Sequence, residues 1–222
     1  MGYKTVILSK ILLFSIGLAG LQAQTVKDND SNVYKTVTIG TQVWMAENLK
    51  TTKYRNGDLI GTTTPATLDI SGETTPKYQW TYDGNESNVA TYGRLYTWYA
   101  VTDNRNVCPA GWHVPSDAEW TTLITFLGGI RVAGGKLKET GTTHWQSPNI
   151  GATNESGFTA LPSGGREANG TFGGVGDDGL WWSSSETSAT IAYNRYMDYL
   201  GFVSSSLGSK QDGFSVRCLR DL

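Results

Sequence analysis

Cys108-Pro109-Ala110-Gly111-Trp112-His113-Val114-Pro115-Ser116 leads into Asp117-Ala118-Glu119-Trp120-Thr121-Thr122-Leu123-Ile124-Thr125-Phe126-Leu127-Gly128-Gly129, and the fold is read outward from this junction. Ser116 and Glu119 have capping-box spacing: the serine oxygen accepts from the Glu119 amide and the carboxylate reaches back. Trp120, Leu123, Ile124 and Leu127 then recur at i, i+3, i+4 and i+7, which predicts a helix with one apolar stripe, ended by Gly128-Gly129. The only other cysteine, Cys218, lies in Gly213-Phe214-Ser215-Val216-Arg217-Cys218-Leu219-Arg220-Asp221, read as a closing strand over 214–219. A bond between the two would tie the helix entrance to the far end of the chain.

Whether they pair depends on compartment. Lys4 and Lys10 form a positive start, an apolar run covers Ile11 to Leu21, and Ala23-Gln24 follows, with the cut expected just after the small Ala23. This pattern predicts a secretory signal over residues 1–23, with a run too short to span a bilayer and no cysteine at the cut to carry a lipid. Export favours the Cys108–Cys218 disulfide. Two cysteines and two histidines, with no C-x-x-C spacing, are too few and too scattered for a zinc site or a thiolate–histidine pair. The chain, expected to be secreted, on the cell surface or periplasmic after signal cleavage, is then not an integral membrane protein. Its charge moves from −2 to −4, because Lys4 and Lys10 leave and no acid does. Scattered, mildly acidic charge excludes a nucleic-acid partner.

Residues 24–32 read as a short polar tether. From Val33 to Ile39 the chain alternates, and Gly40-Thr41 turns it into Gln42–Met45, so 33–46 reads as a hairpin. A long irregular loop covers 55–76. Val89, Tyr92, Tyr96 and Tyr99, widened by Leu95 and Trp98, predict a first helix, and a short one is expected over 134–139. Phe158–Leu161, Leu180–Ser184 and Ala189–Tyr199 read as strands, Asn169-Gly170 as a tight turn, and Gly173–Gly179 as irregular. With 27 glycines and eight tryptophans, this gives one α+β domain over 33–222, with twisted antiparallel sheets, two main helices and long glycine-rich loops.

The chemistry is sparse. No G-x-S-x-G elbow surrounds a serine, and His113, just before the capped helix, reads as structural. Asp177 and Asp178, between glycines, are candidate Ca²⁺ ligands. Carboxylates such as Glu139, Glu155, Asp178 and Glu186 allow glycoside hydrolysis only if the fold pairs them. Trp181 and Trp182 on one strand point to opposite faces, so one is expected in the core and one exposed. An exposed ring beside planar polar groups suits a sugar. This designates Asp178, Trp182, Glu186, Asn194 and Arg195 as candidate ligand-binding residues, with Trp182 stacking.

Several phrases together resemble the Fibrobacter succinogenes major paralogous domain family. They are Tyr34-Lys35-Thr36-Val37-Thr38-Ile39-Gly40-Thr41-Gln42-Val43-Trp44-Met45-Ala46-Glu47-Asn48-Leu49, Tyr92-Gly93-Arg94-Leu95-Tyr96-Thr97-Trp98, the phrase from Cys108 to Pro115, Gly134-Gly135-Lys136-Leu137-Lys138, and Ser215-Val216-Arg217-Cys218. The resemblance implies an exported or surface protein of Bacteroidota-type bacteria. It also implies a C-type lectin-like fold, in the bacterial form shared with formylglycine-generating enzymes: a looped sheet, two helices and adjacent termini. The chain departs from the lectins in having no Glu-Pro-Asn, Gln-Pro-Asp or Trp-Asn-Asp motif, and from the oxidases in lacking their copper-binding cysteine pair. The expected function is a non-catalytic binding domain for a glycan or a surface protein. The alternatives are a polysaccharide-active enzyme or a structural component of a surface assembly.

Overall fold

The computed structural model describes residues 1–2 and 24–222, so the expected signal segment lies, but for its first two residues, outside the described residues. The chain is α+β with two sheets. In chain order the strands are β1 Thr25–Lys27, β2 Val33–Ile39, β3 Gln42–Met45, β4 Gln79–Trp80, β5 Leu95–Thr97, β6 Trp112–His113, β7 Ser163–Arg166, β8 Phe172–Val175, β9 Asp178–Glu186, β10 Ile191–Asp198, β11 Val203–Ser209, β12 Gly213–Phe214 and β13 Leu219–Arg220. The helices are α1 Val89–Tyr92, α2 Trp98–Val101, α3 Asp117–Phe126 and α4 Ala133–Leu137. One sheet runs β1-β2-β3-β13-β6. The other runs β11-β10-β9-β7-β12-β5-β4, with β8 paired to β7.

The hairpin at 33–46 forms as expected, with Val37 opposite Trp44. Its alternation does not mark a single buried face. Tyr34 packs into one core and Ile39 into the other, because the five-stranded sheet lies between two apolar clusters. The tether expectation is corrected. Thr25–Lys27 pairs with β2, and Asp28 closes the following turn by accepting from the amides of Asp30 and Asn32 and from the Tyr34 hydroxyl. Gln24 and Arg220 come within 3.4 Å, so the two ends of the described domain meet in one sheet.

The expected first helix is also corrected. α1 stops at Tyr92 because Gly93 takes φ +73, and a Cβ there would come within 2.8 Å of the Leu49 carbonyl. The chain then extends as β5 and turns again into α2, so the apparent period came from three elements. α3 matches its reading: Glu119 N donates to Ser116 Oγ at 3.3 Å and Ser116 N to Glu119 Oε2 at 2.7 Å. α4 falls where the short helix was expected.

Gly173–Gly179, read as irregular, instead supplies β8 and the start of β9. Glycines can pair in a ladder when neighbouring chain crowds them. A Cβ on Gly179 would lie 2.2 Å from the Trp181 ring. Conversely, Phe158–Leu161 pairs only through Ala160, opposite Lys138. The closing strand splits into β12 and β13, with Ser215 bridging to Trp181 between them. The purely antiparallel expectation gives way to a mixed sheet, since β7 and β9 run parallel.

Cys108 and Cys218 are bonded, with Cα atoms 5.9 Å apart, deep in the first core beside Trp112 and Val216. The second core gathers Trp44, Trp120, Phe158 and Trp181 between α3 and the sheets. Among the described residues no helix is long and apolar enough to cross a membrane.

Candidate functional site

β9 lies between the two cores, and this decides the fate of the sequence-selected residues. Trp181 is buried in the second core and Trp182 in the first, each at 0 % exposure. Trp182 lies 4.5 Å from the Phe214 ring and donates its Nε1 to the Tyr96 carbonyl at 2.7 Å. It therefore has no face to offer a sugar, and the assignment of a stacking role is withdrawn. The rule that neighbours on a strand face opposite ways holds. Both faces are simply covered.

Asn194 and Arg195 are buried too. The Arg195 guanidinium pairs with Asp117 Oδ1 at 2.8 Å and donates to the Asp117 carbonyl and Thr121 Oγ1, so it fastens β10 to α3. Glu186 is exposed and pairs with the buried Lys210, whose ammonium sits over Trp98. Of the five residues, Asp178 lines a described cleft.

That cleft has a volume near 390 Å³ and a lining that includes Gly165, Leu180 and Phe214 together with Arg166, Asp178 and Asp212. Asp178 accepts from the Tyr196 hydroxyl at 2.8 Å, and burial raises its pKa. Asp212 is raised to about 6 by burial, although the Ala168 and Ser209 amides donate to it and pull the other way. Asp177 sits beside Asp178, but among the described residues no group of three or more His, Cys, Asp or Glu side chains is gathered that could hold a metal. The two expected calcium ligands are thus not part of such a group.

A larger cleft of about 480 Å³ includes Ala66 and Trp80, two residues that Arg166 touches, in its lining. The Arg166 guanidinium stacks 4.1 Å from the Trp80 ring and donates to the carbonyls of Ala66 and Leu68. It thereby holds the loop after Gly61 against the β7–β8 hairpin. The loop brings Thr62, Thr64 and Thr67 to the surface, while Thr63 turns inward to accept from Trp80 Nε1 at 2.8 Å.

Across from these hydroxyls stands an ordered set of planar polar groups. Arg94 donates from Nη2 to Glu86 Oε2 at 2.7 Å and from Nη1 to Glu86 Oε1 at 3.3 Å. The same Nη1 reaches Gln79 Oε1 at 3.0 Å, and Nε fixes the Lys50 carbonyl at 3.1 Å. Such a two-pronged pair holds the guanidinium and carboxylate in a common plane. Asp83, exposed at the rim, takes φ +55, a left-handed conformation unusual for a residue other than glycine. Tyr82 anchors its turn by packing on Phe172 at 5.4 Å.

Sequence reasoning missed this cleft. Its threonines read as loop filler, and Arg94 and Glu86 lie eight positions apart across a helix break. The one available signal was the recurrence of threonine around Pro65, over 62–67. Of the histidines, His113 bridges Asp221 at 2.6 Å and Glu119 at 2.9 Å, and His144 meets Glu139 at 2.8 Å.

A family model described as the Fibrobacter succinogenes major domain matches residues 37–220. No curated protein and no solved structure matches the chain.

Proposed function

The chain belongs to the Fibrobacter succinogenes major domain family, and from that membership and the two clefts we propose that it is an exported, non-catalytic binding domain that recognises a glycan. The lectin-like relation belongs to the same proposal. It is supported by two sheets packed about two apolar cores, a disulfide closing the domain, and ends that meet in one sheet.

The observation that carries the reading is the larger cleft. Sugars present adjacent hydroxyls that both donate and accept, and they are held by planar groups in fixed orientation. Arg94, Glu86 and Gln79 are such a set, locked to one another before any ligand arrives, and the threonine hydroxyls opposite can bond either way. Pre-orientation lowers the entropy lost on binding. The Asp178 cleft, linked to this one through the contacts of Arg166, would take further residues of a longer chain.

The test is a glycan array followed by calorimetry on the mature chain, with Glu86→Ala and Asp83→Ala. Both side chains are exposed, so both variants should fold and bind at least about tenfold more weakly, a change of about 1.4 kcal/mol. Folded variants with undiminished binding would move the ligand away from this cleft.

A second reading has its own observation. Asp178 and Asp212 line one cleft and are both raised by burial, a trait of acid–base catalysts. A polysaccharide-active enzyme would release reducing ends and lose that activity in Asp178→Asn. An inactive wild type across the polysaccharides that bind would retire it.

A further inference from the structure

Strand β11 is the edge of the larger sheet and lacks the usual edge protection. Val203–Ser209 carries no charge and no proline, and its pairing with β10 runs without a bulge from Met197–Val203 to Ile191–Ser209. The Val203 amide turns outward to the Ile130 carbonyl at 3.3 Å, and the Ser209 amide turns outward to Asp212 Oδ2 at 3.0 Å. Alternation along the strand then directs the amides and carbonyls of Ser205 and Leu207 outward as well. Both residues are exposed. The edge therefore offers a short run of unpaired main chain, bounded at one end by Ile130 and at the other by Asp212.

The start of this edge opens into an apolar groove of about 410 Å³ with Gly135, Gly151 and Gly201 in its lining. Val132, Ile150, Leu200 and Phe202 line it, each between 43 % and 54 % exposed, and the exposed Ile130 adjoins it in sequence. An apolar patch of this kind on a monomer marks an interaction site. Arg131, also in the lining, has no ion-pair partner among the described residues.

We propose that this edge and groove form a docking site for an extended segment of a partner polypeptide, which adds as a strand to β11, seats an apolar side chain among Phe202, Ile150 and Val132, and sets a carboxylate against Arg131. Strand addition draws affinity from main-chain hydrogen bonds and selectivity from side-chain pockets, and both halves are present here. A second copy of the chain fits less well. Its own Ile130 loop and Asp212 turn would project into the strip that the first copy's walls already occupy. The inference is independent of the glycan reading, because the groove lies on α4 and the β10–β11 end, away from Arg94.

The probe is a synthetic strand of alternating threonine and valine ending in leucine and aspartate, titrated into the isotopically labelled mature chain. Amide shifts are expected at Ser205, Leu207 and Phe202 at millimolar peptide, and they should vanish when alternate peptide amides are N-methylated. Phe202→Asp, at an exposed position, should weaken binding about tenfold or more. Arg131→Glu should weaken it too, and a peptide ending in lysine should restore it. Absence of shifts along β11 at millimolar peptide overturns the proposal, as does equal binding by the N-methylated strand or failure of the charge exchange. Dimer formation without peptide binding overturns it in favour of self-association.

Discussion

Asn48 receives and gives four hydrogen bonds that join four separate stretches of chain. Its Oδ1 accepts from Trp181 Nε1 and from Arg217 Nε, both at 2.8 Å, and its Nδ2 donates to the Tyr92 carbonyl and Ser215 Oγ. Arg217 is fully buried without a carboxylate. Its other nitrogens bond the carbonyls of Phe158 and Thr159, and its guanidinium stacks 4.2 Å from the Phe158 ring. Burial lowers its pKa to about 9. Thr159 is held at φ +53, a costly conformation for a β-branched residue, with its amide on Asn154 Oδ1. Replacing Asn48 by leucine strands two buried donors, each worth about 1–3 kcal/mol, so a loss above roughly 3 kcal/mol in urea unfolding is expected. Asp212 makes a second residue-scale prediction. Its folded pKa lies above the unfolded value, so it favours the folded chain most when protonated, below about pH 4. That contribution is lost as pH rises through about 6, amounting to about 2–3 kcal/mol for a shift of this size. Carboxyl-carbon NMR should show Asp212 titrating near 6, and a midpoint near 4 refutes the assignment.

At the level of elements, what was legible is what local chemistry dictates. The capping box at Ser116 and the Gly40-Thr41 turn are encoded within a few residues, and both formed. Ser116→Ala should cost about 1 kcal/mol, seen as a lower denaturant midpoint with an unchanged slope. His113 reinforces the same corner. Burial lowers its pKa, but Asp221 and Glu119 more than offset this, so the net shift is upward. Its contribution to stability is therefore present below the unfolded value and fades as pH rises through the folded one. The segment after Tyr92 was not legible, because β5 is covered on both faces and so shows no period of two. The Gly134-Gly135 phrase has a reason only the fold reveals. Cβ atoms there would meet the Gly201 carbonyl at 2.4 Å and the Gly151 carbonyl at 2.2 Å. Gly135→Ala should thus destabilise by about 1–3 kcal/mol through overpacking, against near-neutrality for alanine at the open Gly173 position.

Across the whole molecule, the phrases that carry the family resemblance turn out to be its joints. Asn48, Tyr92, Cys108, Gly134, Gly135, Arg217 and Cys218 either bond across elements or allow backbones to touch. This is why the sequence announced an architecture far more clearly than a ligand. The clefts are built from side chains brought together by those joints, and no local spacing foretells them. Trp182 illustrates the difference: a Trp-Trp pair suggested one exposed ring, and only a sheet buried between two cores hides both. The disulfide is the joint whose weight can be measured directly. It closes a loop of 110 residues, for which chain entropy alone gives close to 5 kcal/mol. That figure is an upper value, because the reduced unfolded chain keeps some compactness. The paired variant Cys108→Ser with Cys218→Ser leaves two hydroxyls in an apolar core as well, so its loss mixes two effects. Reducing the wild type under mild denaturant isolates the cross-link. A midpoint loss corresponding to about 2–4 kcal/mol is expected, with the folded spectrum retained in the absence of denaturant. A loss below about half a kcal/mol would mean that the sheet joint through β13 closes the domain without the bond.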